Sequence, residues 1–192
     1  MSLPNAVLFP QALLPLYIFE AKYREMLNKT LENQRMFAVS LCDLNLQPYP
    51  IGGVGLVRAC VHNPDGTANL VLQGVARVRF TRFTQRHPYL IAEIEPLSGL
   101  SSPHTNTKTV ADQILEVVNK TVTSNQNIPD WMMKFLNELT DFEVLADLVA
   151  YTFIEDILTK QTILEELDIH HRLLRVRDAL AAQSNNQKFS FE

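Results

Sequence analysis

At 192 residues the chain is long enough to bury one large core, or two smaller cores sharing an interface, without covalent staples. Its 17 Lys and Arg against 21 Asp and Glu leave a formal net charge of -4, which supplies no overall attraction for nucleic acid or an anionic membrane. Two cysteines, Cys42 and Cys60, make neither a disulfide framework nor zinc-type spacing with the scattered histidines, so the simplest expectation is a reduced, cytoplasmic protein.

Met1, Ser2 and Leu3 are candidates for a cloning remnant. The apolar run Ala12 to Phe19 is broken by Pro15 and lacks a basic flank, which excludes a signal peptide or a membrane span. Tyr23, Met26, Leu27, Thr30 and Leu31 recur at helical spacing and predict a helix packed on a sheet. The sheet is expected from five runs rich in β-branched and aromatic residues: Met36 to Leu41, Val54 to Asn63, Thr67 to Leu72, Val75 to Phe83 and Tyr89 to Glu95. Pro64-Asp65-Gly66 predicts a tight antiparallel hairpin, because proline presets one turn dihedral and glycine accepts a positive φ. Gly52, Gly53 and Gly55 favour a bend or bulge over a phosphate loop, since no helix with the required spacing follows them.

The polar, turn-forming stretch from Ser98 to Thr109 reads as a connector between a β-rich domain, 1–98, and a helical one, 109–188. Beyond it, Val110, Ile114, Val117 and Val118 mark one helix. Pro129-Asp130 opens a short one carrying Trp131, Phe135 and Leu136. Asp141 is placed to cap a helix with Leu145, Leu148 and Val149 on one face, and another helix is expected from Thr159 with Ile163, Leu164 and Leu167. Asp168 caps the last, with Leu173, Val176 and Leu180 inward, Arg172, Arg175 and Asp178 outward, and a fade into the polar run Gln183 to Lys188.

Several segments in order resemble the N-terminal domain family of Lon proteases. They are Leu3-Pro4-Asn5-Ala6-Val7-Leu8-Phe9-Pro10, Leu14-Pro15-Leu16-Tyr17-Ile18-Phe19-Glu20 with Tyr23-Arg24, Ile51-Gly52-Gly53-Val54-Gly55, Pro64-Asp65-Gly66-Thr67, Leu70-Val71-Leu72-Gln73-Gly74, Pro88-Tyr89-Leu90-Ile91-Ala92-Glu93, and Leu167-Asp168-Ile169-His170-His171-Arg172-Leu173. The resemblance implies an α+β fold: a β-rich, PUA-like pseudo-barrel with one packed helix, then a C-terminal α-helical bundle. It also implies a non-catalytic module that recognises unfolded or degron-bearing polypeptides, with a protease or chaperone acting in trans. The family often has glycine where Gln11 stands and proline where Ala21 stands, so a differently shaped first loop is expected.

No catalytic constellation is visible. None of the 6 glycines precedes a lysine, so no Gly-Lys-Ser/Thr loop exists to cradle phosphates, and neither Gly-x-Ser-x-Gly nor His-Glu-x-x-His occurs. The helical arm, ATPase and Ser-Lys protease parts of Lon have no counterpart in the chain, so no cofactor is expected. His170 and His171, adjacent and about 100° apart on a helix, cannot share a metal, and none is expected. Cys42 and Cys60 are expected to be inert, buried thiols rather than nucleophiles.

The binding candidates are Tyr17, Phe19, Glu20, Lys22, Tyr23 and Arg24, which set aromatic rings beside both charge signs at a helix start. The bland alternative is that Tyr23 packs inward and Glu20 satisfies the free amides of the first turn. Arg77, Arg79, Arg82 and Arg86, interleaved with Phe80 and Phe83, form a basic stripe. Strand alternation sends Arg77 and Arg79 to a solvated face, which makes them the RNA-binding alternative for a PUA-like module. Nucleic acid is disfavoured by the overall charge. A small-ligand or adaptor role is the third reading, and the groove for a polypeptide is expected between sheet and helices.

Overall fold

The computed structural model describes residues 1–100, 106–124 and 130–189, in two units, Met1–Ser98 and Gly99–Glu192. In the first unit the β-branched runs become β3 (Met36–Leu41), β4 (Ile51–His62), β5 (Ala68–Gln85) and β6 (Ile91–Leu97), joined by β1 (Ser2–Leu3) and β2 (Leu13–Ile18). The sheet order is β1-β3-β4-β5-β2, with β6 also paired to β5; only the β1–β3 pairing is parallel. Ser2 and Leu3 are thus part of the sheet. The Tyr23 hydroxyl donates to the Ser2 carbonyl at 3.0 Å.

Two expected strands, 67–72 and 75–83, are one continuous strand, β5, that runs through Gly74. The glycine marks a crossing. A Cβ there would lie 1.9 Å from the Phe9 carbonyl oxygen, and one at Gly53 would lie 2.1 Å from that of Leu8. Leu8 and Phe9, both fully buried, therefore pass directly over the backbones of β4 and β5. Gln11 N–H donates to Gly74 O at 2.9 Å and Gly74 N–H to Ala12 O at 2.8 Å, fastening the crossing segment to the sheet. Gln11 itself takes φ 63, the left-handed conformation that a glycine adopts without strain.

The hairpin forms as expected: Gly66 has φ 81, and the Asp65 carboxylate accepts from Thr67 N–H at 2.9 Å and from its hydroxyl at 2.7 Å. The glycine-rich entry to β4 lies beside a register shift at Val54/Gly55. The first helix, α1 (Ala21–Glu32), buries Tyr23, Met26 and Leu27 against a core that includes Leu8, Ile18, Val39, Leu70 and Leu72.

The second unit holds α2 (Thr107–Ser124), α3 (Asp130–Glu138), α4 (Phe142–Phe153), α5 (Ile157–Glu165) and α6 (Ile169–Phe189), with α6 packed on both α2 and α4. Residues 101–105 of the expected connector, and Pro129, lie outside the described residues. Asp141 accepts from Glu143 and Val144 N–H at 2.8 and 3.2 Å, and Asp168 from His171 N–H at 2.9 Å, so both cap as expected. The helix expected from Thr159 begins earlier: Asp156 is its cap, accepting from Thr159 N–H at 2.7 Å, and it ends at Glu165, before Leu167. The last helix runs on through Gln183 to Lys188.

Arg172 is the clearest departure from periodicity, for it points inward. Fully buried, it donates to Glu143 Oε1 at 3.1 Å, to Asp147 Oδ1 at 3.3 Å and to the carbonyl oxygens of Glu166 (2.7 Å) and Leu167 (3.4 Å). Asp147, equally buried, makes the site affordable for a guanidinium. Among the described residues no helix is long and apolar enough to cross a membrane.

Gly74→Ala should lose more than about 2 kcal/mol in a denaturant titration, because backbone must move to admit the methyl group. Arg172→Ala should cost about 3–5 kcal/mol by the same measurement, since the buried Asp147 carboxylate then loses the guanidinium that faces it.

Candidate functional site

β2 is a strand with two apolar faces. Ile18 is buried, with Leu14 and Leu16 packed on the same core, while Leu13, Pro15 and Tyr17 alternate outward. Pro15 is tolerated because β2 ends the sheet order, where a missing N–H breaks no ladder. Phe19, just past the strand, extends the outward series, its ring stacked on Tyr17 at 5.9 Å between centroids and 27° between planes. Tyr17 and Phe19 are 53% and 59% exposed, well beyond the usual lot of large aromatic side chains.

Neighbouring strands continue this surface. The register sets Pro15 beside Val71 and Tyr17 beside Asn69 on β5, and those two beside Ala59 and Val61 on β4. Together they line a shallow depression of about 450 Å³ whose wall carries no charged side chain. Val61 in its wall is 63% exposed, and Leu13 and Phe19, outside it, are 54% and 59% exposed, so the apolar face continues past the depression at both ends of β2.

The remaining sequence candidates divide by task. Glu20 pairs with Lys22 at 2.9 Å, and this hydrogen bond is the main reason the Lys22 pKa is raised; the same ammonium lies 4.7 Å from the centre of the Tyr23 ring. The Glu20 carboxylate does not cap α1; its backbone carbonyl instead accepts from Tyr23 and Arg24 N–H at 3.0 and 2.9 Å. Tyr23 is buried. Arg24 reaches the hairpin, donating to Asp65 O at 3.4 Å. Tyr17 and Phe19 thus belong to the exposed surface, Tyr23 and Arg24 to the scaffold beneath it.

The basic stripe is not a free cationic surface. Arg77, expected on a solvated face, is 1% exposed, because the sheet is covered on both sides at that point of β5. Arg79 meets Glu95 at 3.4 Å, and Arg82 forms a two-pronged pair with Glu93, its Nε at 3.2 Å. Arg86 lies over the Phe83 ring at 5.8 Å. Each of the two paired arginines faces an acidic residue of β6 across the ladder.

Of the thiols, Cys42 is buried and Cys60 partly so; burial pushes the Cys60 thiol up, against the opposing charge of Arg35. The His170 ring bonds to the Thr107 hydroxyl at 3.1 Å, while the His171 ring is exposed. Among the described residues no group of three or more His, Cys, Asp or Glu could hold a metal ion.

This architecture of one helix and a six-stranded sheet followed by helices matches solved structures closely. The N-terminal domain of a Mycobacterium avium complex Lon protease superposes with a TM-score of 0.78 over 94% of this chain and 96% of that one, at 14% identity. A Lon N-terminal domain protein from Xanthomonas campestris gives 0.68 over 92% and 94%, at 21% identity. Residues 1–182 match the profile of the ATP-dependent protease La (LON) substrate-binding domain, and the chain belongs to that family. Full-length relatives include the Lon proteases of Desulfosudis oleivorans, 27% identical over 95% of this chain, and Dictyoglomus thermophilum, 24% over 92%. The chain spans 23% of the length of each of them, and the part matched is the substrate-binding domain, not the ATPase or protease.

If the arginines are committed to β6, Arg79→Glu should leave the anisotropy of a labelled single-stranded RNA unchanged from that of the unsubstituted chain at low and moderate salt. A steep salt slope abolished by the substitution would restore the RNA reading.

Proposed function

We propose that this chain is a non-catalytic module that holds unfolded or degron-bearing polypeptides, in the cytoplasm, for a protease or chaperone acting in trans. The observation that carries this reading is the outward face of β2, β5 and β4, where Leu13, Pro15, Tyr17, Phe19, Val61 and Val71 form one exposed apolar surface. That surface lies within the first unit, rather than between sheet and helices as the sequence suggested. We read the first unit as a PUA-like pseudo-barrel and the second as a helical bundle, in keeping with the family to which the chain belongs.

The physics suits weak and tolerant capture. Apolar side chains of a client leave water against this face at roughly 25 cal/mol per Å². Much of that gain is offset by ordering the client, which leaves modest affinity with little demand on sequence. Stacked aromatics supply contact area at low cost in side-chain entropy. Glu20 and Lys22, an exposed pair just beyond Phe19 in the chain, contribute little to binding.

Fluorescein-labelled β-casein, a natively unfolded probe, should bind the intact chain and remain bound in about 0.5 M salt. Tyr17→Glu combined with Val61→Glu, both at exposed positions, should weaken that binding at least about tenfold without lowering the melting temperature. Binding that collapses in salt, or that the double substitution leaves intact, would remove the basis for this reading.

A further inference from the structure

The first unit contains a second concavity, separate in its residues from the outward face of β2. It measures about 470 Å³ and is walled by Met26 of α1, Met36 of β3, Phe80 and Phe83 of β5, and Ile91 and Ile94 of β6. Phe80 and Phe83 stack at 6.1 Å and form one side. Phe80 is pressed close to the backbone of β4, for a Cβ at Gly52 would come within 2.9 Å of its ring. Met36, Ile91 and Ile94 remain 38%, 43% and 43% exposed, so the cavity opens to water through apolar side chains.

No Asp, Glu, Lys, Arg or His lines it, and its polar side chains are those of Ser2, Thr30, Gln34, Ser40 and Tyr89. The charges of the adjoining strands are tied to one another, Arg79 to Glu95 and Arg82 to Glu93. Lys29, which lies over the ring of the wall residue Tyr89 at 5.6 Å, is paired with Glu25 at 2.8 Å. The backbone nitrogen of Met1, another wall residue, donates to Ala38 O at 2.7 Å. A further wall residue, Ser2, has a buried hydroxyl without a hydrogen-bond partner.

We infer that this cavity is a binding site for an uncharged, largely apolar small molecule. The volume falls in the range of sites for drug-sized ligands, about 300–1,000 Å³. Methionines and stacked phenylalanines give a wall that adapts to shape rather than dictating it. The absence of fixed charge selects against ions, because a carboxylate or ammonium would lose its water and gain no partner. Of the polar wall residues Gln34 is exposed, and its amide can meet a polar group of the ligand. This site is independent of the polypeptide-binding reading and uses none of the residues that carry it.

The test is a titration of the full chain with N-phenyl-1-naphthylamine, a neutral dye that fluoresces in apolar surroundings. Saturable binding of one dye per chain is expected, with 1-decanol displacing it at a concentration at least about tenfold below that needed with decanoate at pH 8. Ala76→Leu, which fills the cavity, should weaken dye binding at least about tenfold, with a circular dichroism melt confirming that the variant folds. Ile94→Ser, at an exposed rim position, should weaken it several-fold in a chain whose core is untouched. Tyr17→Glu should have no effect. Non-saturable fluorescence, equal displacement by decanol and decanoate, or indifference to Ile94→Ser would overturn the assignment. Displacement of the dye by β-casein would instead make the cavity part of a polypeptide surface and would equally defeat it.

Discussion

Backbone lies against backbone where residues 7–12 cross β4 and β5, and the first unit is arranged around that contact. Two positions without side chains, Gly53 and Gly74, let the carbonyl oxygens of Leu8 and Phe9 approach the sheet to distances that no Cβ would permit. The crossing segment then hands the chain to β2 through the bonds between Gln11, Ala12 and Gly74. With β2 fixed in register on β5, one set of its side chains must enter the core and the other must face water. The exposure of Tyr17 is therefore a consequence of packing several residues earlier.

Several charged side chains in this molecule are tied to one another. Arg172 and Asp147 are buried together, with Glu143 at the edge, and they tie α6 to α4. On the sheet, β6 answers the arginines of β5 with Glu93 and Glu95. Pairs of this kind add little stability at an exposed position, but they make Arg79 and Arg82 less available to a phosphate backbone. The apolar surfaces that remain are thus the stronger candidates for recognition.

Much of the fold was legible in the residues. The helical spacing from Tyr23 to Leu31, the Pro64-Asp65-Gly66 turn and the caps at Asp141 and Asp168 are local signals, and local physics decides them. Non-local matters were hidden. Gly74 reads as a break between strands, because a sequence does not show which distant segment will lie against it. Arg172 has the spacing of a surface residue in a helix, and only the arrival of Asp147 from α4 makes it a core residue. Arg77 misleads for a related reason, since alternation predicts faces but not which of them is covered. For the candidate surface, Tyr17 and Phe19 were visible as aromatics near charges, whereas Val61 and Val71 were not. The signal that could have found them was a short strand apolar on both faces.

Pro15 has a wider implication. On the proposed function, sequences eager to form strands would meet this sheet, and an open margin would invite them to pair with it indefinitely. By withholding one amide in the middle of β2, proline interrupts the template along which such growth would proceed. Under that proposal a held chain would rest on the side-chain face and leave again, without seeding an aggregate.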